Sequence, residues 1–237
     1  MITSDKVDFG FVDNYAKRYE VPGRTKSAAL LIWFLETIYR LDETDAQDAV
    51  CDRQHDAGID AIVTNDNRQE IVLFQAKRRE KLPATLGDTD LKEFVGSLAQ
   101  FKSEASVTQL LAATKNEELK RLIKDLDIPA KVKAGYSIRP IFLANVAANA
   151  DADEYLKHAS GVGAKIELWD LVRLSPVLKQ LTREWFVAEK SLLKLNAGKL
   201  FWDGPTKQDP NLVYAAARAK ELVKLPGISD LRIFAKK

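Results

Sequence analysis

The chain has 237 residues, 46% of them hydrophobic and 30% charged, which suits one large domain, or one domain with an appendage, and excludes an intrinsically disordered chain. Lys and Arg number 36 against 34 Asp and Glu, a net charge of +2, so the protein does not coat nucleic acid by charge alone and any phosphate contact has to be local. The single cysteine, Cys51, forms no internal disulfide, the polar start Ile2-Thr3-Ser4-Asp5-Lys6 is no signal core, and the longest apolar run, Ala28 to Leu35, is eight residues against the roughly 20 that cross a bilayer; a cytoplasmic protein without a membrane span is expected.

Pro22-Gly23 breaks the chain before Thr25 or Ser27 caps a helix running to about Leu41. Its apolar residues wrap most of the circumference, as in a helix buried between other elements, with Glu36 set inside the run. An extended segment near Ala49-Val50-Cys51 precedes two strands, Ile59–Thr64 and Glu70–Lys77, which the turn Asn65-Asp66-Asn67-Arg68 joins as a hairpin. From Asp88 the period changes to that of a helix, with Leu91, Phe94, Val95, Leu98 and Phe101 on one stripe behind the cap pattern Asp90-x-x-Glu93. A second stripe, Leu119, Leu122, Ile123 and Leu126, stops at Pro129; Ile141–Ala144 reads as a buried strand with Pro140 at its first position. Residues 151–159 read as helix and Lys165–Trp169 as extended chain. This order predicts an α/β fold, a mixed central sheet flanked by helices. Beyond it, Leu171–Leu195 reads as helix broken at Ser175-Pro176, and Asn211–Leu225 as one more helix. The expected division is 1–195 for the main domain and 196–237 for a helical C-terminal extension.

The hairpin carries the chemistry. Alternation puts Ile71, Leu73, Gln75 and Lys77 on one face of the second strand, and polar residues replace apolar ones only at its end. A two- or four-residue loop around Asp66-Asn67 sets Asp60 opposite Leu73 and diagonal to Gln75, on the same face; a three-residue loop sends Asp60 to the reverse side. A carboxylate, an amide oxygen and an ammonium converging there suit Mg²⁺ or Mn²⁺, with Asp60, Gln75 and the carbonyl of Ala76 as oxygen donors. Lys77 would hold a water in line with a scissile phosphate and offset its developing charge. These are the parts of metal-assisted phosphodiester hydrolysis. Glu36 either joins the metal ligands or pairs with Arg40 at i+4. Arg78, Arg79 and Lys81 either hold nucleic-acid phosphates or form a solvated strand exit.

Gly58-Ile59-Asp60 followed by Phe74-Gln75-Ala76-Lys77 resembles the signature of the PD-(D/E)xK nuclease superfamily, in its Gln-x-Lys branch of Mrr-type restriction endonucleases. Asp56-Ala-Gly-Ile-Asp-Ala-Ile, Gln-Ala-Lys and then Asp90-Leu-Lys-Glu-Phe are more closely similar to the amino-terminal part of AIPR proteins, associated with abortive infection and phage resistance. The resemblance covers roughly residues 25–180 in element order and concentrates in 56–101. It implies a restriction-endonuclease-like core, Asp60 and Gln75 as metal ligands, Lys77 as the catalytic lysine and a first-helix glutamate best matched by Glu36. It also implies a DNA substrate, a role in anti-phage defence, and a further C-terminal domain of the same protein, whose entry Asn211–Leu225 and Asp230-Leu-Arg-Ile-Phe resemble. A homodimer is expected because many nucleases pair subunits to cut both strands. The alternative is a nuclease-fold binding or assembly module without activity of its own.

Other residues read plainly. Cys51 is a small buried residue, His55 and Asp56 belong to a loop and turn, and Trp33, Trp169 and Trp185 are packing. Phe201-Trp202, read as loop, is a candidate docking surface. Neither a phosphate-cradling Gly-x-x-x-x-Gly-Lys-Ser/Thr loop nor a Gly-x-Ser-x-Gly elbow occurs, which excludes ATPase and serine hydrolase readings.

Overall fold

The computed structural model describes residues 9–51, 57–161, 165–182, 195–203 and 212–217. The chain divides into two units, Met1–Pro176 and Val177–Lys237. In the first, α1 (Phe9–Ala16), α2 (Lys26–Thr37) and α3 (Glu43–Asp48) precede the hairpin β1 (Ala61–Asn65) and β2 (Glu70–Lys77). Four helices follow, α4 (Asp88–Leu98), α5 (Glu104–Ala113), α6 (Glu117–Asp125) and α7 (Ile128–Lys133), and then β3 (Ser137–Ala144), α8 (Ala150–Gly161), β4 (Glu167–Trp169) and the start of α9 (Leu171–Thr182), which crosses the division at Pro176. The sheet order is β1-β2-β3-β4, antiparallel between β1 and β2 and parallel from β2 to β4. It is the mixed sheet flanked by helices of a restriction-endonuclease-like α/β fold.

Both faces of the sheet are covered. On one, Ile62, Ile71, Leu73 and Phe142 join Leu91, Phe94, Leu98 and Phe101 in a single buried cluster, with Phe94 edge-on to Phe142 at 5.7 Å between ring centres. On the other lies α2, whose residues Ala28 to Leu35 are all buried, with Phe34 tilted onto Phe74 and onto Trp169. The Thr25 hydroxyl caps α2 by accepting from the Ala28 N–H at 3.0 Å. Its direction is fixed at both ends. Ser27 Oγ accepts from the Arg78 N–H just past the end of β2, while Tyr39, beyond the helix's other end, meets the Phe74 ring. Helix α2 therefore runs antiparallel to β2.

The hairpin keeps the expected faces but shifts its register. Asn65 pairs with Glu70 and Ala61 with Phe74, so the loop is Asp66–Gln69 and Leu73 stands opposite Ile62 rather than Asp60. The loop settles there because the Asn65 side chain accepts from the Arg68 N–H at 3.1 Å and Gln69 takes the left-handed conformation at φ +51°. A slip of two leaves the side chains of the paired residues, 61–65 and 70–74, on their faces.

Four smaller expectations change. Asp90 does not cap α4: Gly87 occupies that position and Asp90 lies buried in the first turn. Pro129 starts α7 rather than only ending α6. Pro140 is the fourth residue of β3, tolerated because β4 pairs only with Ile141–Leu143 and leaves one side of β3 an edge at the proline. Helix α9 passes through Pro176 without the expected break.

In the second unit, β5 (Leu195–Asp203) and β6 (Leu212–Ala217) pair antiparallel, with an irregularity between Leu195 and Leu200. The expected helix Asn211–Leu225 is thus a strand where described, and Phe201-Trp202 lies on β5 rather than in a loop. His55, Asp56, Trp185 and Asp230 lie outside the described residues. Among the described residues no helix is long and apolar enough to cross a membrane.

Candidate active site

The site forms where β1 begins and β2 ends. The Asp60 N–H donates to the Phe74 carbonyl at 2.8 Å although Phe74 pairs with Ala61, so two residues of one strand face one of the other, the geometry of a bulge. From the other side the Cys51 N–H donates to the Asp60 carbonyl at 2.8 Å. Gripped on both sides, Asp60 turns its carboxylate to the edge of β2, where Oδ2 accepts from the Ala76 N–H at 2.7 Å. An extended residue presents N–H and C=O to the same edge, so the Ala76 carbonyl faces the side on which Asp60 stands.

Gln75 is 6% exposed and its Oε1 is buried without a hydrogen-bond partner. An orphaned amide oxygen costs on the order of 1–3 kcal/mol, and such an atom calls for an explanation in function. Gly58 makes room beside it. Gly58 has φ +75°, and a Cβ there would stand 2.4 Å from Ser97 Oγ and 3.7 Å from Gln75 Nε2. Only glycine satisfies both the backbone and the space.

Lys77, on the face of Gln75, points toward α4, its Nζ 3.7 Å from Asp90 Oδ1. Arg79, two residues on, binds the other oxygen of the same carboxylate. The main chain of Arg79 is held by the buried Asn145, whose Oδ1 accepts from the Arg79 N–H at 2.8 Å and whose Nδ2 donates to the Arg79 carbonyl at 3.0 Å. The structure thus brings Asp60, Gln75, Ala76, Lys77 and Arg79 together at one strand end. It adds Asp90 and Asn145, which sequence reasoning missed. The signal for Asp90 was a carboxylate on the apolar stripe of α4, beside Leu91 and four residues before Phe94; Asn145 had none beyond following a buried strand.

Two expected residues stand elsewhere. Arg78 donates from Nε and Nη2 to the two oxygens of Asp13, each at 2.9 Å, lies 3.6 Å from Glu20, and keeps only 9% of its side chain exposed. It anchors α1 to the end of β2 and is not placed to meet a phosphate. Glu36 sits at the far end of α2, where it accepts from Tyr19 at 2.5 Å and Arg18 at 3.0 Å instead of pairing with Arg40. Because α2 runs antiparallel to β2, Glu36 lies nine residues beyond Ser27, roughly 13 Å along the axis, away from Lys77. Lys81 is exposed just past the site.

As a cation site the donor set consists of hard oxygens: the Asp60 carboxylate, the unpartnered Gln75 Oε1 and the Ala76 carbonyl. These fit Mg²⁺ or Mn²⁺, which keep several waters and take few protein carboxylates. Among the described residues no three His, Cys, Asp or Glu side chains group to hold a metal, so a cation here would rely on the amide and main-chain oxygens besides the Asp60 carboxylate.

A comparison with protein families gives a match. A model of the Mrr catalytic domain, described as restriction endonuclease, matches residues 34–116, a stretch that contains Asp60, Gln75, Lys77 and Asp90. The match supports the PD-(D/E)xK nuclease superfamily and a nuclease acting on DNA. Neither the curated proteins nor the solved structures give a match.

Proposed function

We propose that this chain is a divalent-metal-dependent endonuclease domain that hydrolyses phosphodiester bonds of DNA, with Asp60, Gln75 and the Ala76 carbonyl as metal ligands and Lys77 as the catalytic lysine. The single observation that carries this reading is the buried, unpartnered Gln75 Oε1 at the strand end where the Asp60 carboxylate meets the Ala76 N–H and from which Lys77 emerges. A divalent cation held there supplies charge that polarises the phosphate and favours ionisation of water. The residues do the rest. Asp60, fixed by the Ala76 N–H, holds its carboxylate in place; Gln75 turns its oxygen inward; Lys77 orients the attacking water and offsets negative charge developing on the phosphate. Water attacks phosphorus and gives up a proton to solvent, the bond to the leaving sugar oxygen breaks, and that oxygen takes up a proton from solvent.

The test is nicking of supercoiled DNA with Mg²⁺ or Mn²⁺ by the wild type, Asp60→Ala and Lys77→Ala. Metal-dependent cutting by the wild type alone is expected. Equal activity in all three, or none in any, overturns the proposal. In the second case a nuclease-fold binding module is the better reading, favoured because no three His, Cys, Asp or Glu side chains group to hold a metal among the described residues; DNA bound without being cut would identify it.

An anti-phage, abortive-infection role is supported by the similarity of residues 56–101 to AIPR proteins. It predicts that cells carrying the wild type, but not Lys77→Ala, restrict phage plating. A homodimer would bring one site to each DNA strand, and sedimentation of the full chain reads it.

A further inference from the structure

We propose that Asp90 is a positioning residue that sets Lys77 and Arg79 side by side as a two-cation seat for the scissile phosphate; this rests on the nuclease reading above and adds a residue to it. One carboxylate serves two cations, Oδ1 facing Lys77 Nζ at 3.7 Å and Oδ2 bound to Arg79. Exposure is divided unevenly. The Asp90 side chain is 12% exposed, whereas those of Lys77 and Arg79 are 35% and 40% exposed. An ordinary surface ion pair wets both partners; here the anion lies inside and the cations face out, which leaves them presented to an external anion.

The frame around them is built rather than incidental. Asp90 is fixed in the first turn of α4, which packs on the sheet through Leu91 and Phe94. Asn145, fully buried, clamps the main chain of Arg79 by both its N–H and its carbonyl. Lys77 and Arg79, two residues apart, project to the same side of an extended chain, and the buried carboxylate brings their heads together. With one anion between two cations the cluster keeps a net single positive charge. That suits one phosphate diester, and the arginine fork recognises phosphate oxygens while the lysine acts as a point charge.

The experiment uses the full chain as wild type, Asp90→Asn, Asp90→Glu, Arg79→Ala and Lys77→Ala. Cleavage is followed in single turnover at saturating DNA with Mn²⁺, DNA affinity is measured against salt with Ca²⁺, and folding is followed by thermal melting. Asp90→Asn is expected to melt near the wild type and bind DNA at least as tightly, because a negative charge beside the phosphate is gone. It is expected to cleave about 10- to 100-fold more slowly, as outer partners of a site do when removed. Asp90→Glu should recover part of that rate. Arg79→Ala should weaken binding and reduce the salt slope by about one. The proposal is overturned if folded Asp90→Asn cuts at the wild-type rate, if rate and affinity fall together in step with lost folding, or if Arg79→Ala leaves the salt slope unchanged. If the wild type cuts nothing with any divalent cation, the nuclease reading fails by itself. The salt slopes of Arg79→Ala and Lys77→Ala then decide the phosphate seat, each lower by about one if it exists and unchanged if it does not.

Discussion

The carboxylate of Asp60 and the main-chain N–H of Ala76 meet at 2.7 Å across the open end of the hairpin, so one side chain both closes the strand pair and stands at the candidate metal position. The two roles separate by substitution. Asp60→Asn keeps an oxygen for the Ala76 N–H and loses the charge; it should melt near the wild type while losing metal-dependent cleavage by more than about 100-fold. Asp60→Ala also strands a buried donor, at about 1–3 kcal/mol, and should melt lower as well as fail to cut. Thermal melting beside the nicking assay separates the two.

Gln75→Glu tests the amide ligand. A second carboxylate beside Asp60 repels it when no cation is bound and strengthens cation binding when one is. The variant should therefore melt below the wild type in chelator and show a larger stabilisation on titration with Mn²⁺. A Mn²⁺ response equal to that of the wild type would remove Gln75 from the ligand set.

Arg78 and Lys81 should behave as opposites although both follow the same strand. Arg78→Ala leaves Asp13 without its bidentate partner in a mostly buried position and should cost about 3–5 kcal/mol of stability, as removing one member of a buried ion pair does. Lys81→Ala should leave stability unchanged and lower DNA affinity evenly across sequences, with a salt slope smaller by about one. Melting and salt-dependent binding of the two variants check this.

The Tyr19–Glu36 bond makes an alkaline prediction. Burial, followed by the hydrogen bond to Glu36, pushes the Tyr19 phenol from 10.0 up to about 12, against the lowering effect of Arg18. The folded chain holds this proton more tightly than the unfolded one, so the stabilisation is complete below about pH 10 and is lost as pH rises toward 12. Tyr19→Phe should show a smaller fall in denaturant midpoint over that window; what remains includes Tyr15 and Tyr39, whose phenols burial also pushes up, and Lys92, which its bond to Asp88 raises.

Much of the first unit was readable because each signal was local. The apolar run from Ala28 to Leu35 behind Thr25 could only be a buried, capped helix, and the alternation from Ile71 to Lys77 placed Gln75 and Lys77 on one face. Alternation also separates Arg78 from Lys77 and Arg79, so its different fate was legible in principle. Glu36 was not, because periodicity gives a helix its faces and not its direction over a sheet, and direction decides which end meets Lys77. The two-residue register shift depended on the Asn65 side chain holding the loop, which composition does not reveal. Strand β6 was hidden by Leu212-Val-Tyr-Ala-Ala-Ala, whose alanines favour a helix and whose partner β5 carries no clean alternation across Asn196-Ala-Gly-Lys199.

The Asn145 clamp reaches 66 residues along the chain to Arg79, and β3, which delivers it, is the neighbour that makes β2 an interior strand. A truncation ending at 116, where the restriction-endonuclease similarity stops, would keep the aspartate, the glutamine and the lysine yet leave β2 a bare margin, open to pairing with strands of other molecules. The smallest piece able to present these three side chains in order therefore extends at least through Asn145, and shorter excised versions should precipitate before they can be assayed.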